Sequence, residues 1–192
     1  MLRRVYDRVM RLAAGRRAPW VLGAVAFAES SVFPIPPDAF MIPMVLARPR
    51  EAFRIALVAT VASVAGGILG YAIGYFLWET VGRAIVAFYG YEAEFERLRA
   101  LYREWGLWIV AIAGFTPFPY KVVTIASGVA GFSLPGFVLA SLVSRGARFF
   151  LVAAILFVWG EPVRAFVERR LGLLTGLFVL LLIAGFLVLR HV

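Results

Sequence analysis

The sequence predicts an all-α integral membrane protein. Its expected core is an inverted repeat of a re-entrant helical hairpin plus a transmembrane helix, with an N-terminal amphipathic helix and a C-terminal transmembrane helix. Three observations carry this expectation. The 192 residues are 62% hydrophobic and 16% charged, with a mean hydropathy of +0.89, whereas an ordinary soluble domain has about a quarter charged residues. Two apolar stretches are broken at their middle by prolines, Pro34, Pro36 and Pro37 in one and Pro117 and Pro119 in the other. Each is followed by an unbroken apolar run long enough to cross a bilayer.

Residues 1–18 open the chain with Arg3, Arg4, Arg8, Arg11, Arg16 and Arg17 among Leu2, Val5, Val9 and Leu12 at helical spacing. This pattern predicts an amphipathic helix lying in the membrane interface. A signal peptide would need an uninterrupted apolar core, and here Glu29 and three prolines stand in its place.

Residues 19–78 form the first repeat. Trp20 to Phe33 and Ala39 to Ala47 are each too short to span, since a crossing needs about 20 residues. Proline cannot continue a helix because it lacks an amide N–H and clashes with the preceding turn. The two halves are therefore expected to form a re-entrant hairpin whose non-helical tip lines a cavity. Ala52 to Trp78 is expected to be a full span, with Gly66, Gly67, Gly70 and Gly74 providing a face for close helix packing.

Residues 79–104 alternate charge among apolar side chains and are expected to form a helix on the membrane surface. Residues 105–160 repeat the first design: a hairpin broken at Thr116-Pro-Phe-Pro-Tyr-Lys121, then a span from Pro135 to Gly160. A charged turn from Glu161 to Arg170 leads to a final uninterrupted apolar span over residues 171–189. The whole chain reads as one membrane domain. A unit with one net crossing, used twice, inserts its second copy upside down, which is the logic of inverted-repeat transporters.

The net charge is +9, and Arg supplies all but one of the 20 cationic residues. These cations flank apolar runs, where they meet anionic headgroups and set orientation. Counting them places twelve on the side of the N-terminus and five on the other, so the N-terminus is expected in the cytoplasm. The basic stripe with interleaved aromatics that marks a nucleic-acid surface is missing. With no cysteine and a single histidine, His191, a metal site, a cofactor site or a hydrolytic triad is not expected.

This layout puts five ionisable side chains inside the membrane: Glu29, Asp38, Lys121, Arg145 and Arg148. Charge there is expensive and is normally paired or exposed to a water-filled cavity, so a functional role is the default. Static ion pairs or snorkelling to the interface are the plainer reading. Arg145 and Arg148 are three apart and share a helix face. Together with Lys121 they suit a phosphate, arginine by bidentate contact and lysine as a point charge. Helix N-termini at the proline breaks would add backbone donors.

Four motifs in order carry a resemblance to a known family. They are Glu29-Ser-Ser-x-x-Pro-x-Pro-Pro-Asp38, Gly66-Gly-x-x-Gly-Tyr-x-x-Gly74, Phe115-Thr-Pro-Phe-Pro-Tyr-Lys121 with Ala126-Ser-Gly128, and Ser144-Arg-x-x-Arg-Phe149. Over residues 20 to 160 the chain resembles the DedA family, the VTT or SNARE-associated Golgi protein superfamily, and most of all its YqaA-like branch. The resemblance implies an inner-membrane protein with two opposed re-entrant hairpins. It implies movement of lipids across the bilayer, undecaprenyl phosphate or phospholipid, often with proton dependence. The family's acidic pair matches Glu29 and Asp38. Its arginine pair usually lies in an Arg-Phe-x-Pro-x-x-Arg motif, where this chain has Thr116 and Lys121.

The resulting expectation is a non-enzymatic lipid translocase, flippase or scramblase, for an anionic headgroup, with membrane lipids as partners and homo-oligomerisation open. Two alternatives stand beside it. One is a proton-coupled transporter of a small ion or soluble anion, and the other is a structural or assembly protein that uses residues 79–104 and the glycine faces.

Overall fold

In the computed structural model, residues 15–33, 36–116 and 118–160 are described, with Ala13 and Pro162. The expected amphipathic helix over most of residues 1–18, Pro34, Pro117, the charged turn over most of residues 161–170 and the final span at 171–189 lie outside the described residues.

Among the described residues all regular structure is helical. Helices α1 (Ala18–Ser31) and α2 (Asp38–Ala47) flank the first proline group. At about 1.5 Å per residue they reach only about 21 and 15 Å, short of a hydrocarbon core of about 30 Å. After a 3₁₀ turn at Pro49–Glu51 comes α3 (Ala52–Leu77), which runs through a π-helical turn at Trp78–Gly82 into α4 (Arg83–Tyr89). The resulting helix, Pro49–Tyr89, has 41 residues. Helix α5 (Glu92–Phe115) and helix α6 (Tyr120–Val129) flank the second proline group, and α7 covers Leu134–Gly160. Pro49–Tyr89 and Leu134–Gly160 are both long and apolar enough to cross a membrane.

This arrangement corrects the expected surface helix at 79–104, which is not one element. Residues 79–89 continue the spanning helix, and residues 92–104 begin α5. The break falls at Gly90, whose φ of +70° is the left-handed conformation that ends helices and that glycine adopts without strain. Across the break Trp78 stacks on Phe95, with ring centroids 3.6 Å apart.

Helices α3 and α7 run antiparallel, as three levels of contact show. Phe53 stacks on Phe150 and packs tilted against Phe157, Ser63 meets Arg145 near mid-length, and Tyr71 packs on Phe137. Two apolar clusters sit at opposite ends of this pair. Leu22, Met41, Met44 and Val45 of α1 and α2 pack with Ala52, Ile55 and Ala59 of α3 and with Phe149, Ala153 and Leu156 of α7. Val110 and Ala113 of α5 and Tyr120 and Val123 of α6 pack with Phe137 and Ala140 of α7 and with Tyr71 of α3.

Glycines set how closely these helices approach. A Cβ on Gly66 would overlap the Phe27 backbone of α1, and one on Gly74 would overlap the Ile125 carbonyl of α6. The reciprocal contact puts Gly128 of α6 against the Tyr71 carbonyl. Small residues thus let α1 and α6 lie backbone to backbone on α3. Leu57, Val61 and Phe76 on one spanning helix and Leu139, Val143 and Val158 on the other face outward, an apolar surface suited to lipid.

Candidate functional site

Because the prolines forbid helix at Pro36, Pro37 and Pro119, α1, α2, α5 and α6 all end or begin near the same level. A cavity of about 370 Å³ opens there. Both broken segments line it, with Glu29, Pro36, Pro37 and Asp38 on one side, Phe118, Pro119 and Lys121 on the other, and Arg145 and Arg148 from α7. All five ionisable residues singled out from the sequence are therefore brought together. Of the prolines named as hairpin breaks, Pro36, Pro37 and Pro119 line the cavity, and Pro34 and Pro117 lie outside the described residues.

Opposite charges pair across the site. Arg145, whose side chain is 2% exposed, donates from Nη2 to Glu29 Oε2 at 2.7 Å. Its Nε donates to Ser63 Oγ at 2.6 Å, and its guanidinium lies 4.9 Å from the Tyr120 ring and 4.7 Å from the Phe149 ring. Cation–π contacts of this kind help to hold a desolvated cation. Ser63 Oγ lies 2.7 Å from Ser30 Oγ, and Ser30 donates to Glu29 Oε2 at 3.2 Å. Since Ser30 spends its one proton on Glu29, Ser63 supplies the proton between the two hydroxyls, and the loop closes on Glu29.

The second pair is wetter. Arg148 donates from Nη2 to Asp38 Oδ2 and from Nη1 to the Thr116 carbonyl at 2.9 Å, so it ties the second broken segment to the first. The side chains of Arg148 and Asp38 are 21% and 22% exposed. Asp38 Oδ1 is buried without a hydrogen-bond partner among the described residues.

Lys121 differs from both arginines. Its Nζ donates to the Val32 carbonyl at 3.2 Å, and it forms no ion pair among the described residues. It lies in the first turn of α6, which has no acidic residue. A cation there opposes the helix dipole, whereas Asp38 in the first turn of α2 complements it. The cavity, with three cations and two carboxylates, thus keeps one uncompensated positive charge beside a helix N-terminus, an arrangement suited to an anion. Thr124 Oγ1 donates toward the Ser30 carbonyl at 3.1 Å, so α6 of the second broken segment touches the end of α1 in the first.

Sequence reasoning missed Ser30, Ser63 and Tyr120. Each is fully buried, and the signal available for Ser63 was a hydroxyl three residues before the glycine face of an apolar span. Tyr120 donates its phenolic proton to Ser141, which donates in turn to the Phe137 carbonyl at 2.6 Å. This anchors the ring under Arg145.

A family model described as the VTT domain matches residues 35–158. An uncharacterized protein of Haemophilus influenzae is 37% identical over 187 residues, covering 97% of each chain. A protein of Histophilus somni, named as an uncharacterized homologue, is 36% identical over 186 residues, again covering 97% of each. No solved structure matches the chain. On the domain match, which covers well over half of its length, the chain belongs to the VTT-domain, or DedA, family of membrane-associated proteins.

Proposed function

We propose that this protein is a lipid translocase, a flippase or scramblase, that admits an anionic headgroup such as undecaprenyl phosphate or a phospholipid phosphate to the cavity between its two broken segments. In this reading the chain lies in the inner membrane with its N-terminus in the cytoplasm. The broken segments are re-entrant hairpins dipping in from opposite leaflets, each with its span forming one half of an inverted repeat.

One observation carries the reading. The described residues gather two carboxylates, two arginines and a lysine without an acidic partner among them around one cavity. Lys121 and the start of α6 would take the phosphate first. Arg148, partly exposed and shared between Asp38 and the Thr116 carbonyl, would follow by exchanging its carboxylate for a phosphate oxygen. Arg145 and Glu29, held by Ser63 and Ser30, would keep the inner wall fixed.

The test is movement of labelled anionic lipid between leaflets of liposomes that hold the purified protein. Glu29→Gln and Arg148→Ala are expected to slow it, and rates equal to wild type in both would remove the reading. The same cavity also admits a small soluble anion at Lys121. Proton-coupled uptake of inorganic phosphate without lipid movement would favour that cargo.

A further inference from the structure

A second cavity, of about 570 Å³, lies on the outer side of the first broken segment. Its walls are Val21 of α1 and Phe40, Pro43 and Met44 of α2, with Arg16 and Arg17 at one end. The volume falls in the range of small-molecule sites, about 300–1,000 Å³, and the lining is apolar except at that end. We infer that this groove is a berth for one anionic phospholipid, its acyl chain along Phe40, Pro43 and Met44 and its phosphate on Arg16 and Arg17.

Three features support an anionic occupant with a chain. Both arginines are exposed where the chain enters α1, and exposed cations at the mouth of an apolar groove favour an anionic headgroup. The wall beneath them is built rather than loose. Arg48, at the end of α2, donates to the Ala13 carbonyl at 3.1 Å and pairs with Glu51 at 3.4 Å, and Ala13 and Ala18 belong to the buried cluster around Leu22. Pro43 lies on the groove floor inside α2, where it offers an apolar ring and no N–H to the groove.

A polar occupant would be stranded on the apolar floor, and a neutral chain alone would leave the arginines unused. A lipid with a negative headgroup satisfies both ends. The inference is separate from translocation, because the groove residues do not include the five charged side chains of the central cavity.

The absence of cysteine makes a site-specific probe available. Val21→Cys, labelled with an environment-sensitive fluorophore, reports from the groove. Phosphatidylcholine vesicles would carry a small fraction of brominated phosphatidylglycerol or, in parallel, brominated phosphatidylcholine. Each basic residue near an anionic headgroup is worth roughly a factor of five. Quenching should therefore favour phosphatidylglycerol by at least about five-fold, and the preference should shrink to within about two-fold in Arg16→Ala/Arg17→Ala. Equal quenching by both lipids in the labelled parent would overturn the inference without recourse to any further variant. An undiminished preference in the double variant would overturn it as well. Ala39→Trp, which fills the groove, should reduce quenching by either lipid. A protein that moves no lipid between leaflets yet shows this preference would remove the translocase reading and leave the berth in place.

Discussion

Replacing Glu29 by leucine removes the carboxylate that faces a guanidinium with 2% exposure. Arg145 would keep Ser63 as an acceptor and the rings of Tyr120 and Phe149 as cation–π partners, but none of these neutralises it. Breaking a buried pair on one side leaves an uncompensated charge, at about 3–5 kcal/mol. Replacing both partners removes the need to solvate either, so Glu29→Leu/Arg145→Met should return to within about 1–2 kcal/mol of wild type. The cost of Asp38→Leu should be smaller, about 1–2 kcal/mol, because Asp38 and Arg148 are each about a fifth exposed and water screens them.

The assay is unfolding by titration with a denaturing detergent, followed by circular dichroism, paired with lipid movement in liposomes. The single variant should be unstable, whereas the double variant should be stable and inactive. A double variant that moves lipid at the wild-type rate would refute the reasoning, since the pair would then be scaffold alone. A Glu29→Leu variant as stable as wild type would refute it differently, by showing that the pair is not formed.

Three further outcomes follow from the same contacts. Ser63→Ala leaves Arg145 Nε without its acceptor and Ser30 without its donor, so stability should fall by about 1–3 kcal/mol, and lipid movement should fall while Ser63→Thr restores part of it. Gly74→Val should destabilise by several kcal/mol, because its side chain meets the Ile125 carbonyl, whereas Gly90→Ala, in open space but at φ +70°, should cost about 1–2 kcal/mol in the same titration. Lys121→Ala should leave stability nearly unchanged and weaken the preference for anionic over zwitterionic lipid, with Lys121→Arg retaining it.

Much of the central cavity was legible from local chemistry. A group of prolines disfavours continued helix, and a charge inside a bilayer is costly unless it is paired or reaches water. Pro36, Pro37, Pro119 and the five ionisable residues were therefore conspicuous before any fold was known. The glycines of α3 were legible for the same reason, since Gly66, Gly70 and Gly74 recur at a spacing that faces neighbouring helices.

Which carboxylate meets which arginine was not legible. Glu29 and Arg145 are separated by 116 positions, and their meeting depends on the antiparallel crossing of α3 and α7 at Ser63. The extent of the first spanning helix was misleading for a physical reason too. Glu79 and Arg83 suggest a polar end to the span, yet they are one helical turn apart and pair with each other at 2.7 Å on the outside of a helix that continues to Tyr89. The true stop, Gly90, is a single residue between two tyrosines. Ser63 looked unremarkable because a serine in an apolar span commonly bonds its own helix, and only the fold turns this one toward Arg145.

The most direct measurement is a structure of the protein in a lipid nanodisc that contains undecaprenyl phosphate or another anionic lipid. The account predicts phosphate density in the cavity, within hydrogen-bonding distance of Lys121 and Arg148, with the Arg148–Asp38 contact loosened and the Arg145–Glu29 contact kept. An empty cavity whose ion pairs stay closed while lipid collects elsewhere on the protein would contradict it.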